Sequence, residues 1–310
     1  MRALVTGASG FVGGYLLDAL RAEGAEVFGC CGPGDRDERY RTIDLSDGAT
    51  LRDALERFRP TVVFHLAAQT YVPDALRSPI ETYETNVLGT ARLAEAVRAY
   101  GGDPPPRIVF ASSAEVYGAR DAGEYPLRET LDVRPANPYG ASKAAAEAIL
   151  AGEARSFGTD VVIARAFNHI GPGQRESFVV ASFAAQLARI AAGGAPLLLV
   201  GNLDAARDFL DVRDVAAAYV ALARHGERGE IYNVCSGKAV AIRDVLRELI
   251  GIARVPVEVR EDPDRMRPSE IPLSVGSPEK LRARTEWKPR IAVPRSLAEI
   301  YEAAVEKEPR

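Results

Sequence analysis

Tyr139 and Lys143 stand four residues apart in the stretch N-P-Y-G-A-S-K-A-A-A-E, residues 137–147, which otherwise reads as alanine-rich helix. Side chains at i and i+4 of a helix are neighbours, so this spacing brings an ammonium beside a phenol. A cation there favours the phenolate and draws a group with an ordinary pKa of ~10 towards neutral pH. Tyr139 is thereby expected to act as a proton donor or acceptor. Y-x-x-x-K is a short pattern, and ordinary helix packing accounts for it equally well unless the rest of the chain provides the chemistry with a setting.

That setting is visible in the periodicity. Short aliphatic runs alternate with amphipathic ones: RALVT then FVGGYLLDALRAEG, AEVFG then TLRDALERF, TVVFHLA then a helix starting at Ser78, RIVFASS then the Tyr139 helix, and VVIARAF. Strand and helix in alternation imply an α/β fold, a doubly wound parallel-sheet Rossmann domain covered on both faces. Ser78-Pro79-Ile80-Glu81 has the form of a capping box with proline at the first helical position. Beyond residue 167 the rhythm loosens into FNHIGPGQ, AAGGAPLLLVGN and EDPDRMRPSEIP, loops rich in Gly, Pro and polar residues. Residues 1–167 and 211–240 are therefore assigned to the dinucleotide-binding domain, with IYNVCSG returning to its sheet. Residues 168–210 and 241–310 form a smaller C-terminal α/β lobe built for binding substrate.

Composition sets bounds on function. The 310 residues are 47% hydrophobic, ample for one large core and an appended lobe. A net charge of -4 leaves no basic field to gather phosphodiester backbones, so nucleic acid is not expected as a partner. No apolar run reaches the ~18 residues a membrane span needs, and MRALVTGASG lacks the apolar segment and cleavage site of a signal peptide. A cytoplasmic protein with no membrane partner is expected. Three cysteines, Cys30, Cys31 and Cys235, and three histidines, His65, His169 and His225, show no metal-ligand spacing, and no metal is expected.

The run Gly7-Ala8-Ser9-Gly10-Phe11-Val12-Gly13 follows the first strand and opens the first helix. In that context glycines let the backbone approach a pyrophosphate, and the helix N-terminus offers free N–H groups and the positive end of its dipole. With Tyr139 and Lys143, this G-x-x-G-x-x-G loop resembles the extended short-chain dehydrogenase/reductase superfamily, and the resemblance spans the chain. It implies a bound nicotinamide dinucleotide touching Gly7, Ser9, Gly10, Phe11, Val12 and Gly13. Further contacts are implied at Asp44, Leu45, Leu66, Ala67, Ala68, Gln69 and Asn86, with Lys143 on the nicotinamide ribose. The carboxylate that usually ends the second strand and binds the adenosine 2'-hydroxyl is replaced by Gly29-Cys30-Cys31-Gly32. Arg36 nearby is either a partner for a 2'-phosphate or a solvated loop charge; NADP(H) is favoured, with NAD(H) still admitted.

The resemblance also implies that Ser113, four residues before Tyr117, hydrogen-bonds the reacting oxygen while Tyr139 supplies the proton. Glu115 carries two readings. Sugar-nucleotide 4,6-dehydratases have a glutamate two residues after the hydroxyl residue, where it moves a proton during loss of water; otherwise Glu115 orders the sugar hydroxyls or the loop. Arg207 and Arg267 are planar forks suited to a diphosphate, and Glu270 to a ribose diol. The stretches FNHIGPGQ, SFVVASFAAQLARI, GNLDAARDFLDVRD, IYNVCSG and RMRPSE are similar to those of GDP-4-keto-6-deoxy-D-mannose reductases. This adds Asn168, Val179 and Asn202 to the substrate-binding residues, beside Ser113, and implies reduction of the C4 ketone of that GDP-linked deoxyhexose to give GDP-D-rhamnose. GDP-mannose 4,6-dehydratases share the GNL…RD and RP-x-E elements and are the competing assignment, but the segment after the second strand is short for them. A homodimer through the helices starting at Ser78 and Pro138 is implied by the same resemblance.

Overall fold

The computed structural model describes residues 1–35, 37, 39–266 and 271–308. In chain order the first half runs β1 (Arg2–Thr6), α1 (Phe11–Ala22), β2 (Glu26–Cys31), β3 (Arg41–Thr42), α2 (Gly48–Phe58) and β4 (Val62–His65). It continues with α3 (Val72–Arg77), α4 (Pro79–Tyr83), a π-helical turn (Glu84–Leu88), α5 (Gly89–Tyr100), β5 (Arg107–Ser113), α6 (Pro138–Phe157) and β6 (Val161–Ala166). The second half comprises β7 (Asn168–Ile170), α7 (Val179–Ala191), β8 (Leu197–Val200), β9 (Ala206–Asp211), α8 (Val212–His225), β10 (Ile231–Val234) and β11 (Ala239–Ala241). It ends with α9 (Ile242–Ala253), β12 (Glu258–Glu261), β13 (Leu273–Ser274), α10 (Glu279–Thr285) and α11 (Val293–Val305).

Seven strands form one sheet in the order β10-β6-β5-β4-β1-β2-β3, and every neighbouring pair is parallel. The chain winds outward one way from β1 through β2 to β3 and the other way from β4 to β10. The switch of direction between β1 and β4 opens a crevice at their carboxyl ends, the place where such sheets bind ligands. Strand residues alternate between two cores, as the pleat requires. Ala3, Val5, Phe64 and Val109 face α1 and α8. Leu4, Val63, Ile108 and Phe110 face α2, α5 and α6. Leu281 and Trp287, from the segment assigned above to the lobe, pack in the first of these cores.

The remaining strands build small sheets, β11-β9-β13 with β7 beside β9, and β12 with β8. Their own core joins α7, α9 and α11 through Phe183, Leu187, Phe209, Leu246, Leu249 and Ile300. The capping box expected at Ser78 does not form. A helix does start there, α4 with Pro79 at its first position, but α3 already runs from Val72, Ser78 sits at the junction of the two, and its side chain caps nothing. Among the described residues no helix is long and apolar enough to cross a membrane.

Candidate active site

One cleft of about 1730 Å³ lies between the main sheet and the lobe. Its floor is the glycine loop. Gly7 has φ +71°, and a Cβ there would lie 2.7 Å from Ala67 N; a Cβ on Gly13 would lie 2.5 Å from the carbonyl oxygens of Gly7 and Ala8. Only glycine allows this close approach of the loop to the segment after β4. Helix α1 then begins at Phe11, after Gly10, with no side-chain cap and no acidic residue in its first turn, so its first N–H groups and positive dipole end are left for an anion. The cradle fits a dinucleotide pyrophosphate.

The expected contacts Ser9, Phe11, Val12, Asp44, Leu45, Leu66, Ala67, Ala68 and Gln69 all line this cleft. Asn86 does not. It is buried behind the wall on the π-helical turn, where its Oδ1 accepts from Gln69 N at 2.8 Å and its Nδ2 donates to Gln69 O and Ser142 Oγ, each at 2.9 Å. It holds the backbone of Gln69, which lines the cleft, in place. At the adenosine end β2 closes with Cys30 and Cys31, so the strand itself ends without a carboxylate. Arg36 lies outside the described residues. Arg39 instead lines this end, held by Asp37 at 2.6 Å and lying 5.5 Å from the Tyr40 ring centre.

Helix α6 carries the reactive pair. Asn137 caps it, with Oδ1 accepting from Gly140 N at 2.9 Å, Pro138 opens it, and Gly158 closes it in the left-handed region. The other face of the Asn137 amide donates to Glu115 Oε2 at 2.7 Å, tying Glu115 to the positive end of the same helix. Ser113, Glu115, Tyr139 and Lys143 all line the cleft, and Ser113 lies close enough to the Tyr139 phenol to favour its ionised form. Lys143 Nζ donates to Ala111 O at 2.7 Å and lies 4.7 Å from the Phe110 ring centre.

The expected acidification of Tyr139 by Lys143 is not what sets the phenol's proton affinity. Burial pushes Tyr139 up to about 12, with the Ser113 hydroxyl opposing and the Glu115 charge adding to the rise. Burial likewise pulls Lys143 down to about 7, partly offset by Glu147. The i, i+4 spacing fixes which residues share a face but says nothing of how dry that face is, and desolvation dominates here.

Several contributing residues carried no sequence signal. His65 is enclosed between Thr6 Oγ1 at 2.8 Å and Thr90 Oγ1 at 3.0 Å, and burial drives its pKa down to about 3, so it is neutral. Tyr219 of α8 lines the cleft close enough for Tyr139 to raise its pKa further, although burial is the larger cause. On the lobe side, His169 stacks on Phe11 with ring centres 6.1 Å apart, which joins the glycine loop to β7.

The substrate half of the cleft is lined by Asn168, Val179, Asn202 and Arg207. Arg207 Nη1 donates to Ala206 O at 2.9 Å. Its neighbour Asp208 is fully buried and accepts from Ser236 N, Ser236 Oγ and Gly237 N at 2.8, 2.6 and 2.9 Å, which fastens β9 beneath the cleft. Arg267 and Glu270 lie outside the described residues. Arg265, two residues before Arg267, lines the cleft and donates to Ser182 Oγ at 3.2 Å.

A phosphate cradle at the switch point and a buried tyrosine–lysine pair on one helix place the chain among the extended short-chain dehydrogenase/reductases. Within them it belongs to the family described as GDP-mannose 4,6 dehydratase, whose model matches residues 4–300. It is 43% identical over 311 residues to a GDP-6-deoxy-D-mannose reductase of Pseudomonas aeruginosa, covering 99% of both chains. The structure of RMD from Pseudomonas aeruginosa complexed with NADPH superposes with a TM-score of 0.88 at 41% identity, covering 99% of this chain and 100% of that one. A UDP-glucose 4-epimerase of Thermus thermophilus in complex with NAD gives 0.86 at 34% identity, covering 98% and 99%.

Proposed function

We propose that this chain is an NADPH-dependent reductase that converts the C4 ketone of GDP-4-keto-6-deoxy-D-mannose into the alcohol of GDP-D-rhamnose. The observation that carries the reading is the full-length likeness to a GDP-6-deoxy-D-mannose reductase, in a chain whose Ser113, Tyr139 and Lys143 share one cleft with the glycine cradle.

Reduced nicotinamide, when bound, supplies hydride to the ketone carbon. The protein's part is to hold and protonate the oxygen. Ser113 Oγ donates to the carbonyl and steadies the charge that develops on it. Tyr139 passes its proton to the new alkoxide, and a phenol held protonated by burial is well suited to that donor role. Lys143, anchored on Ala111 O, holds the ribose and is the cation closest in sequence to the phenol. Gly7, Ser9, Gly10, Phe11, Val12 and Gly13 bind the pyrophosphate, while Asp44, Leu45, Leu66, Ala67, Ala68 and Gln69 shape the rest of the dinucleotide site. Asn168, Val179, Asn202 and Arg207 receive the GDP-sugar. NADP(H) is preferred because β2 ends without a carboxylate and Arg39 stands at that end of the cleft. NAD(H) remains a usable substitute.

A homodimer through the region of α3, α4 and α6 is part of this reading, supported by the exposure of Leu76, Ile80, Leu88 and Phe157. Three free buried cysteines suit a reducing compartment such as the cytoplasm. Glu115 supports a second reading, since a carboxylate held beside Ser113 suits proton removal next to a ketone and hence 4,6-dehydration. Purified protein with NADPH and the keto sugar nucleotide is expected to lose absorbance at 340 nm in step with reduction. Absence of turnover there, with conversion of GDP-mannose and no net NADPH consumption, would establish the dehydratase reading instead.

A further inference from the structure

Beneath the reactive pair lies a buried ion pair that the reaction does not touch. Glu147 follows Lys143 by one turn of α6 and Arg165 stands on β6; they are 5% and 3% exposed. Arg165 donates to the Glu147 carboxylate through Nε at 3.0 Å and Nη2 at 2.7 Å, and Ser112 Oγ donates to the same group at 2.5 Å. The guanidinium lies 4.7 Å from the ring centre of Tyr117, whose hydroxyl donates to Asn233 Oδ1 at 2.7 Å. An apolar pair of the same volume would often be no less stable here, so stability alone does not explain these charges.

Their placement does. Ser112 immediately precedes Ser113, and Lys143 Nζ is bonded to Ala111 O. Successive turns of α6, at Lys143 and Glu147, thus grip successive residues of β5, at Ala111 and Ser112, and set the strand bearing Ser113 against the helix bearing Tyr139. We propose that Glu147, held by Arg165, is a positioning residue that fixes Ser113 against Tyr139 and keeps an anion beneath the Lys143 ammonium. This rests on the reading of Ser113, Tyr139 and Lys143 as the reaction centre.

The titratable groups around Lys143 are few. Glu147 and Tyr139 share its helix, and His65 on β4 is neutral; β5 presents Ala111 O and the Phe110 ring. Glu147 is the group that offsets the burial of the ammonium. Removing it should therefore let Lys143 lose its proton at lower pH.

The test compares wild type with Glu147→Gln/Arg165→Met, in which neither buried charge is left alone, and with Ser112→Ala, which removes one hydrogen bond from a small side chain. The double variant is expected to lose at least tenfold in kcat and to move the basic limb of its pH profile down by roughly one pH unit. Ser112→Ala is expected to lose several-fold in kcat with the limb unmoved. The pH dependence of NADPH binding, read by nucleotide fluorescence, should show the same displacement without any turnover, so the proposal is judged even if the keto sugar proves not to be the substrate. A double variant with wild-type kcat and an unmoved limb overturns the proposal, as does a Ser112→Ala enzyme with wild-type kcat.

Discussion

Lys143 is held at a cost to stability, and that cost is measurable. The ammonium is 3% exposed, and burial lowers its pKa from 10.5 to about 7. At ~1.4 kcal/mol per pH unit, that interval amounts to roughly 5 kcal/mol against the charged form, of which about 4 kcal/mol is still felt at pH 7. Lys143→Met keeps the chain's volume and removes the charge. It also leaves Ala111 O without its donor, a loss of about 1–3 kcal/mol. The variant should therefore be more stable than wild type by about 1–3 kcal/mol in urea unfolding at pH 7, while losing nearly all reductase activity. The sign with pH follows from proton counting. Unfolded lysine keeps its proton up to about 10.5 whereas the folded site releases it near 7, so the unfolded state binds more protons between those values. Wild-type stability should rise relative to the variant across that window, and the full penalty should be present below 7. Equal or lower stability of Lys143→Met at pH 7, with parallel pH curves, would refute the argument that this lysine is kept at the expense of the fold.

Other expectations concern the frame around the site. Asn137→Ala removes the α6 cap and the tether on Glu115, and should lower stability by about 1–2 kcal/mol, measured by denaturant titration. Gly13→Ala forces a Cβ to within 2.5 Å of two carbonyl oxygens and should weaken NADPH binding at least tenfold in a fluorescence titration. His65, held neutral with a pKa near 3, makes the fold acid-sensitive. As pH falls from about 6.5 towards 3 the unfolded state gains a proton that the folded state refuses, so wild type should lose up to ~1.4 kcal/mol per pH unit relative to His65→Gln in acid unfolding.

What the chain discloses before folding depends on whether a signal is local. The glycine loop was legible because its three glycines lie within seven residues, next to a strand and a helix, although the contact that requires Gly7 is with Ala67 in a distant segment. Tyr139 and Lys143 were legible because one helix carries both. The Glu147–Arg165 pair spans two elements, His65 meets Thr6 and Thr90 from distant segments, and none of these has a spacing that marks it. Ser78-Pro79 marked a helix start, since α4 begins at Pro79, but the side-chain cap that the local pattern implied does not form at a residue that also ends α3. That Asn86 is buried behind the cleft wall was not legible, because residue order gives depth along the chain and not depth from the surface. The proton affinities of Tyr139 and Lys143 were missed in the same way, since burial is a property of the whole fold.

Tyr139 delivers its proton to the alkoxide formed as the sugar ketone is reduced. Wild type and Tyr139→Phe should be incubated with NADPH and GDP-4-keto-6-deoxy-D-mannose, and the product read by NMR. Wild type should consume one NADPH per sugar and give GDP-D-rhamnose, while Tyr139→Phe binds NADPH and leaves the ketone almost untouched. An unreduced ketone with wild type, or near-normal turnover by Tyr139→Phe, would contradict it.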